Sequence, residues 1–213
     1  MEGVVFETAF KLIRHDALSL EMKAYADVKD VPIIKDDGLE TMLQFLRLKK
    51  PKRLLEIGSA IAYSSIMLAR HIEGIEIVTI ERDEATYFKA CENIKKAGFE
   101  DQIKIFHADA LDFDVANLGV EPFDVIFIDA AKSAYQRFFE KYEAFLAEDG
   151  LIISDNLLFH GHVFKTKQEL SKNLGDLVRK LNTYSKWLAD HEGYDTLFLP
   201  LGDGMAFSYR RSE

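Results

Sequence analysis

The chain has 213 residues, 48% of them apolar and 30% charged, with a net charge of -9 and a single cysteine. That length suits one well-cored domain, and the acidic balance excludes a broad phosphate-tracking surface without excluding a local basic patch. One cysteine excludes an intrachain disulfide and fits a reducing cytoplasm; no apolar run reaches membrane-spanning length, and the N-terminus carries charges where a secretory signal has none.

No repeat, low-complexity tract or linker interrupts the sequence, so residues 1–213 are expected to form a single domain, with 1–50 as a helical cap. Amphipathic spacing predicts helices over Val4–Arg14, Leu18–Val28 and Leu39–Leu48, with Val31-Pro32-Ile33-Ile34 breaking the pattern. The chain then alternates. Strands are predicted at Arg53–Ile57, Ile75–Ile80 and Ile103–His107. Helices are predicted at Tyr63–His71 and Glu84–Lys96, the latter with Asp83 as N-cap and Gly98 near its end. From Phe123 to Asn156 two apolar runs, FDVIFIDAAK and GLIISDN, flank SAYQRFFEKYEAFLAED, whose aromatic residues recur at helical steps. A long helix is expected from about Lys167 to Ala189, and a hairpin joins Thr196–Leu199 to Met205–Tyr209 through Gly202-Asp203-Gly204. Together these describe an α/β fold, a doubly wound, mostly parallel seven-stranded sheet with an antiparallel C-terminal hairpin and extra N-terminal helices.

Strand, helix, strand is the crossover unit of a parallel sheet, so Asp129, Asp155 and Asn156 fall together on its carboxyl edge, where open α/β folds bind ligands. Two carboxylates and an amide oxygen are hard donors suited to Mg²⁺ or Mn²⁺. Alone, Asp129 reads as a helix cap and Asp155-Asn156 as a turn; their meeting on adjacent strand ends favours a metal site. Lys132 is either a surface lysine or a base above that metal. Gly58, within LEIGSAIAYSS (Leu55–Ser65), permits a tight turn into a helix N-terminus able to face an anionic group. Ala60 and Ala62 occupy the later positions of this G-x-G-like stretch, so the motif alone is weak. Glu81 ends the second strand, where an acid can bind ribose hydroxyls, and Asp109-Ala110 ends the third, where an adenine edge would lie. His160-Gly161-His162 lacks the spacing of a zinc site and reads as loop. Tyr184 and Trp187 read as core, and Lys49–Arg53 as a solvated run.

LEIGSAIAYSS, Glu81, DVIFIDAAKSAY and SDN together resemble the cation-dependent O-methyltransferases of the catechol and caffeoyl-CoA type, which use S-adenosylmethionine (SAM) on a Rossmann-like sheet. The stretches DNLLFHG, LNTYSKWL and PLGDGMAFS are most similar to bacterial tRNA 5-hydroxyuridine methyltransferases. The resemblance implies SAM contacts from Glu56, Gly58, Ser59, Ser64, Glu81, Asp109, Ala110 and Asp129. It implies metal ligation by Asp129, Asp155 and Asn156, and catalytic roles for Lys132 and Asp129. Ala62 departs from the family pattern, which has glycine there. The implied substrate is the wobble 5-hydroxyuridine in a tRNA anticodon region, the alternative a small catechol-like or caffeoyl-CoA-like phenol, and the implied assembly a homodimer in the cytoplasm. The hydroxyl and neighbouring carbonyl of 5-hydroxyuridine chelate a cation as a catechol does, so basic groups near the pocket must mark an RNA substrate. Lys35, Lys165, Lys167 and Arg210-Arg211 are the candidates. A nucleotide-binding oxidoreductase would need a fuller glycine pattern, and a non-catalytic module would not need the metal ligands.

Overall fold

The computed structural model describes residues 13–159, 161–165 and 170–211. Most of the helix expected at Val4–Arg14 lies outside these residues, as do His160 and Lys167.

Among the described residues two helices precede the sheet. The first, α1 (Ala17–Lys29), begins with a reciprocal cap: the Asp16 carboxylate accepts from the Ser19 N–H at 2.8 Å, and the Ser19 hydroxyl accepts from the Asp16 N–H at 2.8 Å. The second, α2 (Asp36–Lys49), buries Leu39, Met42, Leu43 and Leu46. The alternating segment follows as β1 (Arg53–Ile57), α3 (Tyr63–His71), β2 (Glu76–Glu81), α4 (Glu84–Ala97) and β3 (Ile103–His107). As expected, Asp83 caps α4, accepting from the Thr86 N–H at 2.8 Å, and Gly98 closes it in a left-handed conformation.

Then come β4 (Phe123–Ile128), α5 (Tyr135–Tyr142), β5 (Leu146–Ser154), α6 (Lys172–Ala189), β6 (Tyr194–Leu199) and β7 (Met205–Arg210). Two boundaries differ from expectation. Helical spacing through Leu146 suggests one long helix, but α5 ends at Tyr142 and a 3₁₀ turn leads into a strand that already includes Leu146–Asp149. The long last helix begins at Lys172, capped by the Ser171 hydroxyl.

The seven strands lie in the order β3-β2-β1-β4-β5-β7-β6. The first five run parallel, and β7 pairs antiparallel with both β5 and β6. This is the Rossmann-like arrangement with an antiparallel hairpin that the sequence predicts. Alternation along the strands sends Leu54, Val125 and Leu151 to a core with the first four helices, and Leu55, Ile126 and Ile152 to one with α5 and α6. Tyr184 belongs to the second core and Trp187 packs against it, as read from their spacing. Strand order reverses between β1 and β4, so a crevice opens at their carboxyl ends. Among the described residues no helix is long and apolar enough to cross a membrane.

Candidate active site

The floor of the crevice is set by one close backbone approach. Gly58 has φ +91°, and a Cβ there would lie 2.3 Å from the carbonyl oxygen of Asp129. The loop after it is pinned on both sides: the Gly58 N–H donates to the Ile80 carbonyl at 2.9 Å, and the Asp129 N–H to the Ile57 carbonyl at 3.0 Å. The chain then turns through left-handed conformations at Ala60 (φ 46°) and Ala62 (φ 63°), the second being the N-cap of α3. An alanine there carries a backbone cost of about 1–2 kcal/mol that glycine would not. Other groups hold the turn. Glu81 accepts from the Ala60 N–H at 2.9 Å with one oxygen and from the Asp83 N–H at 2.8 Å with the other.

Glu56 lies beneath this loop, fully buried. Its carboxylate accepts hydrogen bonds from the hydroxyls of Ser64 and Ser65, and from Thr79 at 2.7 Å. Burial pushes its pKa up to about 7, the three hydroxyls oppose the rise, and the Asp129 charge adds to it. It does not border the crevice. Its placement fastens α3 to β1 and β2, beneath the wall that Ser64 presents to the crevice.

The crevice holds a cavity of ≈ 710 Å³ bordered by Gly58, Ser59, Ser64, Glu81, Asp109, Ala110, Asp129, Lys132 and Asn156, with Val31–Ile34 on one side. Asp109 accepts from the Leu111 N–H at 2.9 Å, and the Ala110 carbonyl accepts from the Tyr142 hydroxyl at 2.6 Å and the Lys141 ammonium at 3.0 Å. The third strand end is thereby tied to α5.

At one end of the cavity Asp129, Asp155 and Asn156 meet. The Asn156 amide nitrogen donates to Asp129 at 2.8 Å and to Asp155 at 3.5 Å, while its backbone N–H donates to Asp155 at 2.7 Å. Asn156 is left-handed (φ 64°), a conformation asparagine tolerates well. Asp129 does not cap the following helix. Asp155 is 2% exposed and sits just below the cavity surface. Burial raises the Asp129 pKa to about 6, with the Lys132 charge and the Asn156 hydrogen bond pulling it down and Asp203 pushing it up. Burial, then Asp129, raises Asp155 further. Two buried carboxylates held together without a full complement of cations form a site that a cation would stabilise. No group of three His, Cys, Asp or Glu residues suited to a metal occurs among the described residues; beside the two carboxylates stands the Asn156 amide. Two carboxylates and an amide fit a hard divalent cation once the amide presents its oxygen.

Lys132 borders the cavity with its ammonium 5.2 Å from the Phe159 ring centroid. Sequence reasoning missed three groups. Asp203, 8% exposed in the β6–β7 turn, acts electrostatically on both Asp129 and Asp155. The signal was available: β7 pairs antiparallel with β5, so the turn preceding β7 reaches the edge where SDN ends. Arg137 of α5 and Lys180 of α6 also border the cavity, and neither forms an ion pair among the described residues. The basic groups read from sequence fare differently. Lys35 is bound to Asp203 at 2.5 Å, and Lys165 is exposed. Arg210 and Arg211 lie at the opposite edge of the sheet, because β7 runs antiparallel; they engage the Glu143 carbonyl and Asp195, each at 2.7 Å.

A family model described as O-methyltransferase matches residues 20–211. The chain belongs to this O-methyltransferase family. A caffeoyl-CoA O-methyltransferase of Populus kitakamiensis is 27% identical over 222 residues, covering 99% of this chain and 93% of the relative. A catechol O-methyltransferase of Niastella koreensis is 32% identical over 152 residues, covering 70% of this chain and 69% of the relative. Among solved structures, a Staphylococcus aureus protein provisionally assigned as a caffeoyl-CoA O-methyltransferase is 36% identical with a TM-score of 0.87, covering 92% of this chain and 93% of that one. The SAH-bound Podospora anserina methyltransferase PaMTH1, 23% identical with a TM-score of 0.81 over 99% of this chain and 95% of its own, shares the fold of this O-methyltransferase.

Proposed function

We propose that this O-methyltransferase moves the methyl group of SAM to a hydroxyl in the presence of a divalent cation, and that its acceptor is 5-hydroxyuridine at the tRNA wobble position. One observation carries the chemistry: Asp129 borders the cavity and is joined through Asn156 to Asp155. The cavity and this cluster of two carboxylates and an amide therefore share a wall, which a methyl donor and an acceptor oxygen both require. SAM supplies a sulfonium methyl, and a cation held by Asp129, Asp155 and Asn156 supplies charge that makes an acceptor hydroxyl more acidic.

The chain's own groups do the rest. Glu81, with acceptor capacity left beyond its two backbone bonds, takes a ribose hydroxyl. Ser59, Ser64 and the free N–H groups at the start of α3 face the amino-acid end, and Asp109-Ala110 the base. Lys132 stands beside Asp129 and Phe159, where its ammonium can steady the developing acceptor oxyanion or, once neutral, take its proton. The RNA reading is supported by Arg137 and Lys180, two cavity-side cations free to meet phosphates, and by the resemblance of DNLLFHG and PLGDGMAFS to tRNA enzymes. A small phenol, catechol-like or caffeoyl-CoA-like, is the second reading, favoured by what the relatives methylate.

The test is methyl transfer from labelled SAM to tRNA bearing 5-hydroxyuridine, and in parallel to a catechol. EDTA should abolish transfer and Mg²⁺ or Mn²⁺ restore it; Asp155→Ala should remove turnover with the circular dichroism spectrum intact. Transfer to tRNA should fall with KCl, by a slope of about 0.7 per phosphate neutralised, and Arg137→Glu with Lys180→Glu should weaken it. Undiminished activity in EDTA refutes the cation. Efficient turnover of catechol, with hydroxylated tRNA unmethylated at low salt, makes the second reading correct.

A further inference from the structure

Tyr135 opens α5 with its side chain 1% exposed, yet its hydroxyl has no hydrogen-bond partner among the described residues. A buried phenol normally finds one, and leaving it unpaired costs about 1–3 kcal/mol. Its surroundings locate it. The ring meets Tyr184 edge-on at 5.6 Å between centroids, and the Tyr184 hydroxyl is hydrogen-bonded to the Ser154 hydroxyl at 2.8 Å. Ser154 immediately precedes Asp155 and pairs across the sheet with Ile128, which immediately precedes Asp129. Tyr135 therefore packs beside the two strand ends that carry the carboxylates. Burial, then the charges of Asp129 and Asp155, push its phenol well above the ordinary tyrosine range, so it lies within their field.

A second observation concerns the donor already there. The Asn156 amide gives its nitrogen to both carboxylates, at 2.8 Å and 3.5 Å. Ligation of a cation requires the amide oxygen instead, and the half-turn that presents it withdraws the N–H donor from Asp129. Beyond Asn156, Asp129 has no hydrogen-bond donor to its side chain among the described residues. One buried donor lacks an acceptor, next to an acceptor about to lose its donor.

We infer that Tyr135 is a positioning residue of the acidic site: its hydroxyl hydrogen-bonds the Asp129–Asp155 pair when that pair holds a divalent cation, and so sets the affinity for the ion. This rests on the cation reading proposed above. Outer hydrogen bonds of this kind are worth roughly 10–100-fold in metal affinity.

The test is Mn²⁺ binding to the full chain, followed by electron paramagnetic resonance, for wild type, Tyr135→Phe and Tyr184→Phe, with SAH affinity measured by calorimetry on each. Tyr135→Phe keeps the ring and removes only the donor. It should bind Mn²⁺ at least about 10-fold more weakly with unchanged SAH affinity, while Tyr184→Phe stays close to wild type. Equal Mn²⁺ affinity in Tyr135→Phe and wild type overturns the inference and leaves the cation reading standing. Parallel losses of Mn²⁺ and SAH binding, or an equal loss in Tyr184→Phe, show a merely structural tyrosine and overturn it too. No Mn²⁺ binding by the wild type overturns both readings.

Discussion

Replacing Gly58 with alanine tests the geometry on which the whole crevice depends. The new methyl would sit 2.3 Å from the Asp129 carbonyl oxygen and 3.0 Å from both the α- and β-carbons of Ala130. The nearest of these is backbone pinned in a sheet, so no side chain can simply swing aside. The left-handed backbone costs about 1–2 kcal/mol for any L-residue, and overpacking adds about 1–3 kcal/mol. A total near 3 kcal/mol corresponds to a fall in melting temperature of roughly 6–12 °C for a chain of this size. Gly74 supplies the control, since it has φ +70° but nothing within 4 Å of its would-be Cβ. Gly74→Ala should therefore show only the backbone part. Urea denaturation of both variants, followed by circular dichroism, separates conformational strain from the clash. SAH binding should be lost in Gly58→Ala alone, because the displaced atoms belong to Asp129 and its neighbour. If the two variants lose equal stability, the claim that β1 and β4 meet at a glycine-sized gap is wrong.

Glu81→Ala should weaken SAM binding by about 1–3 kcal/mol, the cost of leaving hydroxyl hydrogen bonds unmade; calorimetry checks it, and binding of NAD in place of SAM would overturn the assignment. The Glu56 pKa, raised from 4.5 to about 7 in the fold, also has a consequence for stability. Because the folded state holds the proton more tightly, this contribution is fully present below the unfolded value and is lost as pH rises through the folded one. Metal-free protein should accordingly lose stability between about pH 4.5 and 7, and Glu56→Gln should flatten that part of the curve. An unchanged slope in the variant would assign the pH dependence to other groups.

The sheet and its carboxyl edge were legible because mostly apolar strands alternate with helices, and β2, β4 and β5 end in or run directly into Glu81, Asp129 and Asp155. Asp129, Asp155 and Asn156 could be brought together from connectivity alone, since a crossover unit fixes which ends of two strands coincide. The beginning of β5 was not legible. Leu146 continues the helical spacing of Phe138, Phe139 and Tyr142, and a short apolar run does not distinguish helix from strand. The role of Glu56 was hidden for another reason: its partners Ser64, Ser65 and Thr79 come from two later elements, and only the packed layers bring them under the loop. The Arg210-Arg211 pair was misplaced because a run of charge carries no direction. The antiparallel pairing of β7 decides which edge it reaches.

The β6–β7 turn bears on how the site is put together. The Leu157 N–H donates to the Gly204 carbonyl at 2.9 Å, the Leu158 N–H to the Asp203 carbonyl at 2.6 Å, and the Gly202 N–H to the Asp37 carboxylate at 3.1 Å. The loop that follows Asp155-Asn156 is therefore shaped by residues made nearly fifty positions later, against a helix made at the outset. A domain generally folds as a unit, so this loop and the turn that shapes it take their form together. Without residues 202–204 the segment after Asp155 and Asn156 would lose the carbonyls that Leu157 and Leu158 donate to. Asp155 and Asn156 thus depend for their setting on the last strand pair as much as on the strand that carries them.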